Sequence, residues 1–474
     1  MDRVVRTSAG LVRGTGSGGV TRFLGIPYAA APVGPLRFAG PSPVEPWAGT
    51  RDAVAFSAAP VQGPPAPGVP SPWQPDDGFD SLSVNVWTPD DGGSGLPVMV
   101  WVYGGAYKTG SSSLPSYEAS RLAAHGVVVV TLNYRLGFEG FGVLPGAPAN
   151  RGHLDQLAAL EWVHSEIAAF GGDPGLITVF GESAGAAAVG VLLTTPRTEG
   201  LIRRGIAQSI PSGYRTLESA EAITAALAAE LGVRPTVEGF AAVAPEAILP
   251  VLDSPLRGQQ LGITAFGPVV DGEVVLGDPW AVIGDGRAAH VDLVSGFCHE
   301  EFRLFSMLTD MTGVTVDGVA RAQRLSPEQV QRYRDTYPGA AEQTLVEVIM
   351  SDALFRMPST WLAEAHARAG GRAWLYDFAW AGPLLGACHS VDIPFTFGVT
   401  DTPISALLLG TPPPPEFEAL SEAFRKSWAS FAATGDPGWP QFTPDERTTR
   451  VWDNQIVDGP YPIPESAEIW AGRA

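Results

Sequence analysis

Gly181-Glu182-Ser183-Ala184-Gly185 is the stretch of this sequence with the most chemistry in it. It is a G-x-S-x-G pentapeptide between an apolar segment, Leu176 to Phe180, and an alanine-rich one that begins at Ala184. Between a strand and a helix, that pattern makes a nucleophile elbow, a sharp turn that lifts one hydroxyl clear of a sheet. The small flanking residues have a steric reason. Such a turn is strained and leaves little room for side chains beside the incoming strand. The helix that follows would aim its free N–H groups and positive dipole end at the point where an oxyanion forms. With 56 glycines in 474 residues, chance alone supplies about 0.4 copies of the pentapeptide, so the flanking elements carry the reading.

A serine hydroxyl at neutral pH needs a base to take its proton, and the base needs an acid to orient it. In folds built around such an elbow the chain order is serine, acid, histidine. Of seven histidines, His125, His153 and His164 precede Ser183, His290 begins an expected strand, and His366 lies in a helical pattern. His299 and His389 remain. His389 sits in the loop Gly386-Ala387-Cys388-His389-Ser390, after a strand expected to end near Phe378. Loops at the carboxyl ends of parallel strands are where ligands and catalytic groups collect. For the acid, Glu300 and Glu301 both follow the expected strand Val291 to Gly296, and spacing alone does not separate them. The oxyanion needs preorganised N–H donors. The elbow offers Ala184, and Tyr103-Gly104-Gly105-Ala106, after an apolar strand, offers a second source.

The elements that must hold these residues read as alternating strands and helices. Buried-type strands are expected at Pro97 to Tyr103, Gly126 to Asn133, Leu176 to Phe180, Val291 to Gly296 and Arg372 to Phe378. A helix from about His153 to Phe170 places Leu157, Leu160, Val163, Ile167 and Phe170 on one face, and Gly171-Gly172-Asp173-Pro174 stops it. Residues 59–78, rich in Pro and Gly, read as a surface loop. Helical patterns near 218–253 and 316–369 would cap one end of the sheet. A last amphipathic helix carries Leu420, Phe424, Trp428 and Phe431. The expectation is an α/β fold with a mostly parallel sheet covered on both faces, formed by residues 1–474 as one domain.

Composition bounds the function. A formal net charge of −20 argues against nucleic acid and anionic membrane surfaces as partners. No run of 18 apolar residues predicts a membrane span, and the start, Met1-Asp2-Arg3-Val4-Val5, lacks an apolar signal segment. Two cysteines, Cys298 and Cys388, form no disulfide framework and suit a reducing, cytoplasmic setting. Oligomeric state leaves no mark in these features.

Several separated segments then resemble the type-B carboxylesterase/lipase family, which includes the cholinesterases, and in particular its bacterial para-nitrobenzyl-esterase-like members. Arg22-Phe23-Leu24-Gly25-Ile26-Pro27-Tyr28-Ala29, Pro32-Val33-Gly34-Pro35-Leu36-Arg37-Phe38, Leu82-Ser83-Val84-Asn85-Val86-Trp87-Thr88-Pro89, Asn133-Tyr134-Arg135-Leu136-Gly137 and Phe170-Gly171-Gly172-Asp173-Pro174 carry it, with Phe180 to Gly185 as the active-site signature. The resemblance implies an α/β-hydrolase fold with helical insertions over the active-site end. It implies Ser183 as nucleophile, Glu301 as acid and His389 as base. It implies Gly105, Ala106 and Ala184 as oxyanion donors and Glu182 as a supporting carboxylate. The expected activity is hydrolysis of a small-molecule carboxylic ester through an acyl-enzyme, with no cofactor and no metal. The alternatives are a carbamate, thioester, lactone or amide hydrolase, or a non-catalytic binding member. Departures from the family pattern are Phe302 for a glycine, Ala106 for a third glycine, and Ser81 and Ala59 for a pair of loop cysteines. Ser209 resembles a second buried serine of the family, for which a structural hydrogen bond is the expected role. Phe302, Phe305, Phe395 and Phe397 are candidates for an apolar pocket or for core.

Overall fold

Val98 to Val102, Val128 to Leu132 and Ile177 to Phe180 are fully buried apolar runs, and they lie side by side at the centre of a sheet. The computed structural model describes residues 2–66, 68–89, 93–254 and 264–473. Among these, thirteen strands form one mixed sheet. Its middle is seven parallel strands in the spatial order Val128–Leu132, Leu96–Val102, Gly172–Glu182, Arg204–Gln208, Asp292–Cys298, Ala373–Phe378 and Thr449–Trp452. Antiparallel strands, including Ser83–Pro89 on one side and Val457–Gly459 on the other, extend the two edges. This is the α/β-hydrolase fold. The expected central strands are all present, with ends moved by a few residues. Arg204–Gln208 and Thr449–Trp452 were not anticipated: their mixed polar sequences give no apolar run, although both lie within the sheet.

Helices cover the sheet. The one expected from His153 runs Arg151–Glu166, then tightens into a 3₁₀ turn at Ile167–Phe170 and ends at Gly171 with φ +95°. The helix Phe417–Thr434 buries Leu420, Phe424, Trp428 and Phe431, the face its spacing anticipated. Helices Leu217–Leu231, Val237–Ala241 and Pro245–Ile248 occupy the first expected insertion. Val316–Ala322, Pro327–Thr336, Glu342–Ser351 and Met357–Arg368 occupy the second. No described helix is long and apolar enough to cross a membrane. Parallel strands share a direction, so the loops after Val102, Glu182, Cys298 and Phe378 all emerge at one end of the sheet, and Gly105, Ala106, Ser183, Ala184, Glu301 and His389 all follow those four strand ends.

Candidate active site

The elbow is built on contacts that admit no side chain. A Cβ on Gly185 would lie 1.9 Å from the Val102 carbonyl oxygen, and one on Gly181 would lie 2.6 Å from the Gly185 carbonyl. Ser183 takes φ 57° and ψ −125° at the N-cap of helix Ala184–Thr194. A non-glycine residue pays strain in that region and persists there only when its surroundings fix it. Here the fixing is visible: the strand pairs Glu182 with Gln208, and the Ser183 N–H donates to the Gln208 carbonyl at 2.9 Å. Ser183 as a residue is half-buried.

The loops that carry Glu301 and His389 meet beside this turn. His389 Nδ1 lies 2.5 Å from Glu301 Oε2, and Glu301 Oε1 accepts the Cys298 N–H at 2.8 Å. The His389 N–H also donates to the Glu301 carbonyl, so backbone as well as side chain ties the two loops. Both residues are buried. The other imidazole nitrogen, Nε2, is buried and makes no hydrogen bond, although Glu182 Oε1 lies 3.1 Å away. Burial opposes charge on His389, but the carboxylates of Glu182 and Glu301 outweigh it and hold the imidazole pKa above its ordinary value. Burial also pushes the Glu182 carboxyl up, against the pull of His389.

The two neighbours left open by spacing go elsewhere. Glu300 Oε2 accepts the Ala387 N–H at 3.0 Å and a bond from Arg303, so it clamps the loop in front of His389 without touching the imidazole. His299 Nδ1 pairs with Asp377 Oδ2 at 2.7 Å and its side chain is 40% exposed. Phe302 has φ −74°, so the family's glycine is not required by the backbone at that position.

On the opposite side, Gly105 has φ +105° and Ala106 φ 54°. Gly105 is exposed and Ala106 half-buried. The Gly105 carbonyl is turned back to accept the Lys108 and Thr109 N–H groups, both at 3.0 Å. Gly104 packs against the elbow so closely that a Cβ there would meet Ser183 Cβ at 2.9 Å. The Gly-rich loop and the elbow are therefore adjacent. Ala184, buried, opens the helix, where N–H groups have no intrahelical acceptor.

Phe305, singled out by the sequence, and Phe355, which carried no signal there, lie against the His389 ring, with centroids at 5.1 and 4.3 Å. Phe355 belongs to a π-helical turn, Asp352–Arg356, pinned by the buried Asp352–Arg356 ion pair and by the Tyr333 hydroxyl on Asp352. Nothing local in the sequence announces a π turn. Of the four phenylalanines singled out, Phe395 and Phe397 are core, packed on Phe378 and on Trp101 and Phe180. Asp392 is buried, and its Oδ2 accepts from Gln208 and from the Tyr376 hydroxyl. Ser209 departs from expectation: its N–H donates to the Gly296 carbonyl, but its buried hydroxyl has no partner. A cavity of about 330 Å³ bounded by Val33, Phe79, Leu136 and Pro245 includes none of these residues. The Arg37 and Glu139 side chains on its wall are paired with each other.

Comparison with known proteins gives one answer. The sequence profile of the carboxylesterase family matches residues 1–457. The chain is 34% identical to the para-nitrobenzyl esterase of Bacillus subtilis, over 96% of each chain. It is also 34% identical to the fumonisin B1 esterase of Sphingopyxis macrogoltabida, covering 93% of this chain and 84% of that one. Among solved structures, a thermophilic PNB esterase superposes with TM-score 0.89 at 33% identity, over 98% of this chain and 99% of that one.

Proposed function

This chain belongs to the carboxylesterase family and is a serine carboxylesterase, and from that premise we propose that Ser183, His389 and Glu301 carry the hydrolysis through an acyl-enzyme. The observation that carries the assignment is the state of one imidazole. Its Nδ1 is committed to Glu301, and its Nε2 is left unbonded next to the elbow. His389 Nε2 takes the Ser183 proton as the oxygen attacks the ester carbonyl carbon. The N–H groups of Gly105, Ala106 and Ala184 receive the developing oxyanion. The same imidazole then gives its proton to the departing alkoxide oxygen. In the second half it takes a proton from water, whose oxygen attacks the acyl carbonyl, and returns it to Ser183 as the acid leaves. Glu301 remains ionised, fixes the tautomer and stabilises the imidazolium. Glu182 adds negative charge on the same side and favours the protonated imidazole.

The whole chain works as one α/β-hydrolase domain, since one hydrophobic cluster runs from Val5 to Trp470. The substrate is a small carboxylic ester, and Phe305 and Phe355 present it with an apolar wall at the base. The two unpaired cysteines suit a reducing, cytoplasmic setting. Active-site titration with a fluorophosphonate, followed by hydrolysis of p-nitrophenyl butyrate, tests this assignment. Stoichiometric labelling of the parent and none of Ser183→Ala is expected. Label retained in that variant would remove Ser183 from the role.

A further inference from the structure

The residue after the base is in an unusual state. Ser390 takes φ +66°, left-handed backbone that a residue with a side chain rarely adopts. Its hydroxyl donates to Glu182 Oε1 at 2.6 Å. That is the same oxygen that lies 3.1 Å from His389 Nε2. Nε2 is nevertheless without a hydrogen bond. One carboxylate oxygen thus has two suitors from consecutive residues, and the hydroxyl holds it.

We infer that Ser390 is a positioning residue for the hydrolytic reaction: its hydroxyl occupies the Glu182 oxygen nearest the imidazole, and so keeps His389 Nε2 free for Ser183. The inference rests on the assignment of Ser183 and His389 above. Without Ser390, Glu182 would lack the short bond that satisfies its charge. It would then draw the Nε2 proton more strongly, and the imidazole would spend more time paired to the wrong oxygen.

The other groups facing this pair do not replace Ser390. Glu301 is committed to Nδ1 and to the Cys298 N–H. Asp392 is held by Gln208 and Tyr376. Burial keeps Tyr117, Cys298 and Cys388 neutral by raising their pKa values.

The test is the pH profile of kcat/KM for the full-length enzyme, with active sites counted by fluorophosphonate titration. In Ser390→Ala the acid limb should move to higher pH by about one unit, the tenfold change in imidazole protonation that loss of a charge-assisted bond allows. At pH 7 kcat/KM should fall about tenfold and recover on the alkaline plateau. Ser390→Gly removes the hydroxyl while relieving the left-handed backbone, so it keeps the test alive if the alanine variant folds poorly, and it should shift equally. In a Glu182→Gln background, removing the hydroxyl should leave the limb where Glu182→Gln alone puts it. An unmoved limb, or the same shift in both backgrounds, overturns the role of Ser390. A parent enzyme that takes no label would instead overturn the assignment beneath it.

Discussion

Two imidazole–carboxylate pairs flank the same strand end. His389 meets Glu301 at 2.5 Å and His299 meets Asp377 at 2.7 Å, each through Nδ1. In both pairs the carboxylate is fully buried. By the pairing alone they are interchangeable. They differ in what surrounds the rest of the ring. His389 is 4% exposed at its side chain, walled by Phe305 and Phe355, and its free nitrogen lies beside the Ser183 elbow. His299 is 40% exposed, and its backbone carbonyl is spent on Arg356. A carboxylate–histidine contact is therefore common structural material. On the proposed assignment, it becomes catalytic machinery when the second nitrogen is kept buried, unbonded and next to the proposed nucleophile.

Four experiments break or sharpen that comparison. The largest effect belongs to Ser183→Ala, which should lower kcat by about 10⁶, as in protease triads; residual activity near the parent rate would leave the His389 pair with no task to distinguish it. Next come the two adjacent glutamates. Glu301→Gln removes the acceptor that fixes the imidazole tautomer and should cost about 10⁴ in kcat. Glu300→Gln keeps an oxygen for the Ala387 N–H and should cost about tenfold or less, in proportion to one weakened neutral bond. Kinetics showing the reverse order would move the acid by one residue.

Third is the pH profile. Because Glu182 and Glu301 hold the His389 pKa up against burial, the acid limb of the parent should lie above the ordinary imidazole value of about 6.5. Glu182→Gln removes one of those charges and should move the limb to lower pH by about one unit. A limb that stays put would mean that Glu182 does not sense the imidazole. The smallest effect is His299→Gln. Its kcat/KM should stay within about twofold of the parent, since its imidazole bonds Asp377 and not Ser183, Glu301 or His389. Burial works against charge on this imidazole, but its bond to Asp377 prevails and raises its pKa. Its stabilisation is therefore complete below the unfolded value and fades as pH rises through the folded one. Thermal melts should show the variant less stable than the parent at pH 5.5 and equal to it at pH 9, by about 1 kcal/mol at most for a pair whose imidazole is 40% exposed. Loss of activity with unchanged melting would instead place His299 in the reaction.

How much of this the sequence revealed depended on whether the cause was local. The elbow was legible because close backbone contacts demand Gly181 and Gly185 at fixed spacing. His389 was only partly legible: chain order and position left His299 beside it, and the family resemblance chose between the two. Glu300 and Glu301 were not separable by spacing, since adjacent residues at a strand end point apart and only the loop geometry decides which faces the imidazole. The sheet centre announced itself as apolar runs. Arg204–Gln208 did not, because Arg204 and Gln208 are buried polar residues whose partners, the Ala432 carbonyl and Asp392, lie far away in the chain. Phe355 and Ser390 were out of reach for a similar reason. One depends on a π turn locked by Tyr333 and Asp352, the other on a left-handed residue whose hydroxyl reaches across to Glu182.

The clearance at the elbow has a practical consequence for anyone reshaping this catalyst. With 1.9 Å between a would-be Gly185 Cβ and the neighbouring strand, randomising the floor of the site would mostly yield misfolded protein. Useful diversity has to be introduced at Phe305 and Phe355, which meet His389 through their rings and not through backbone.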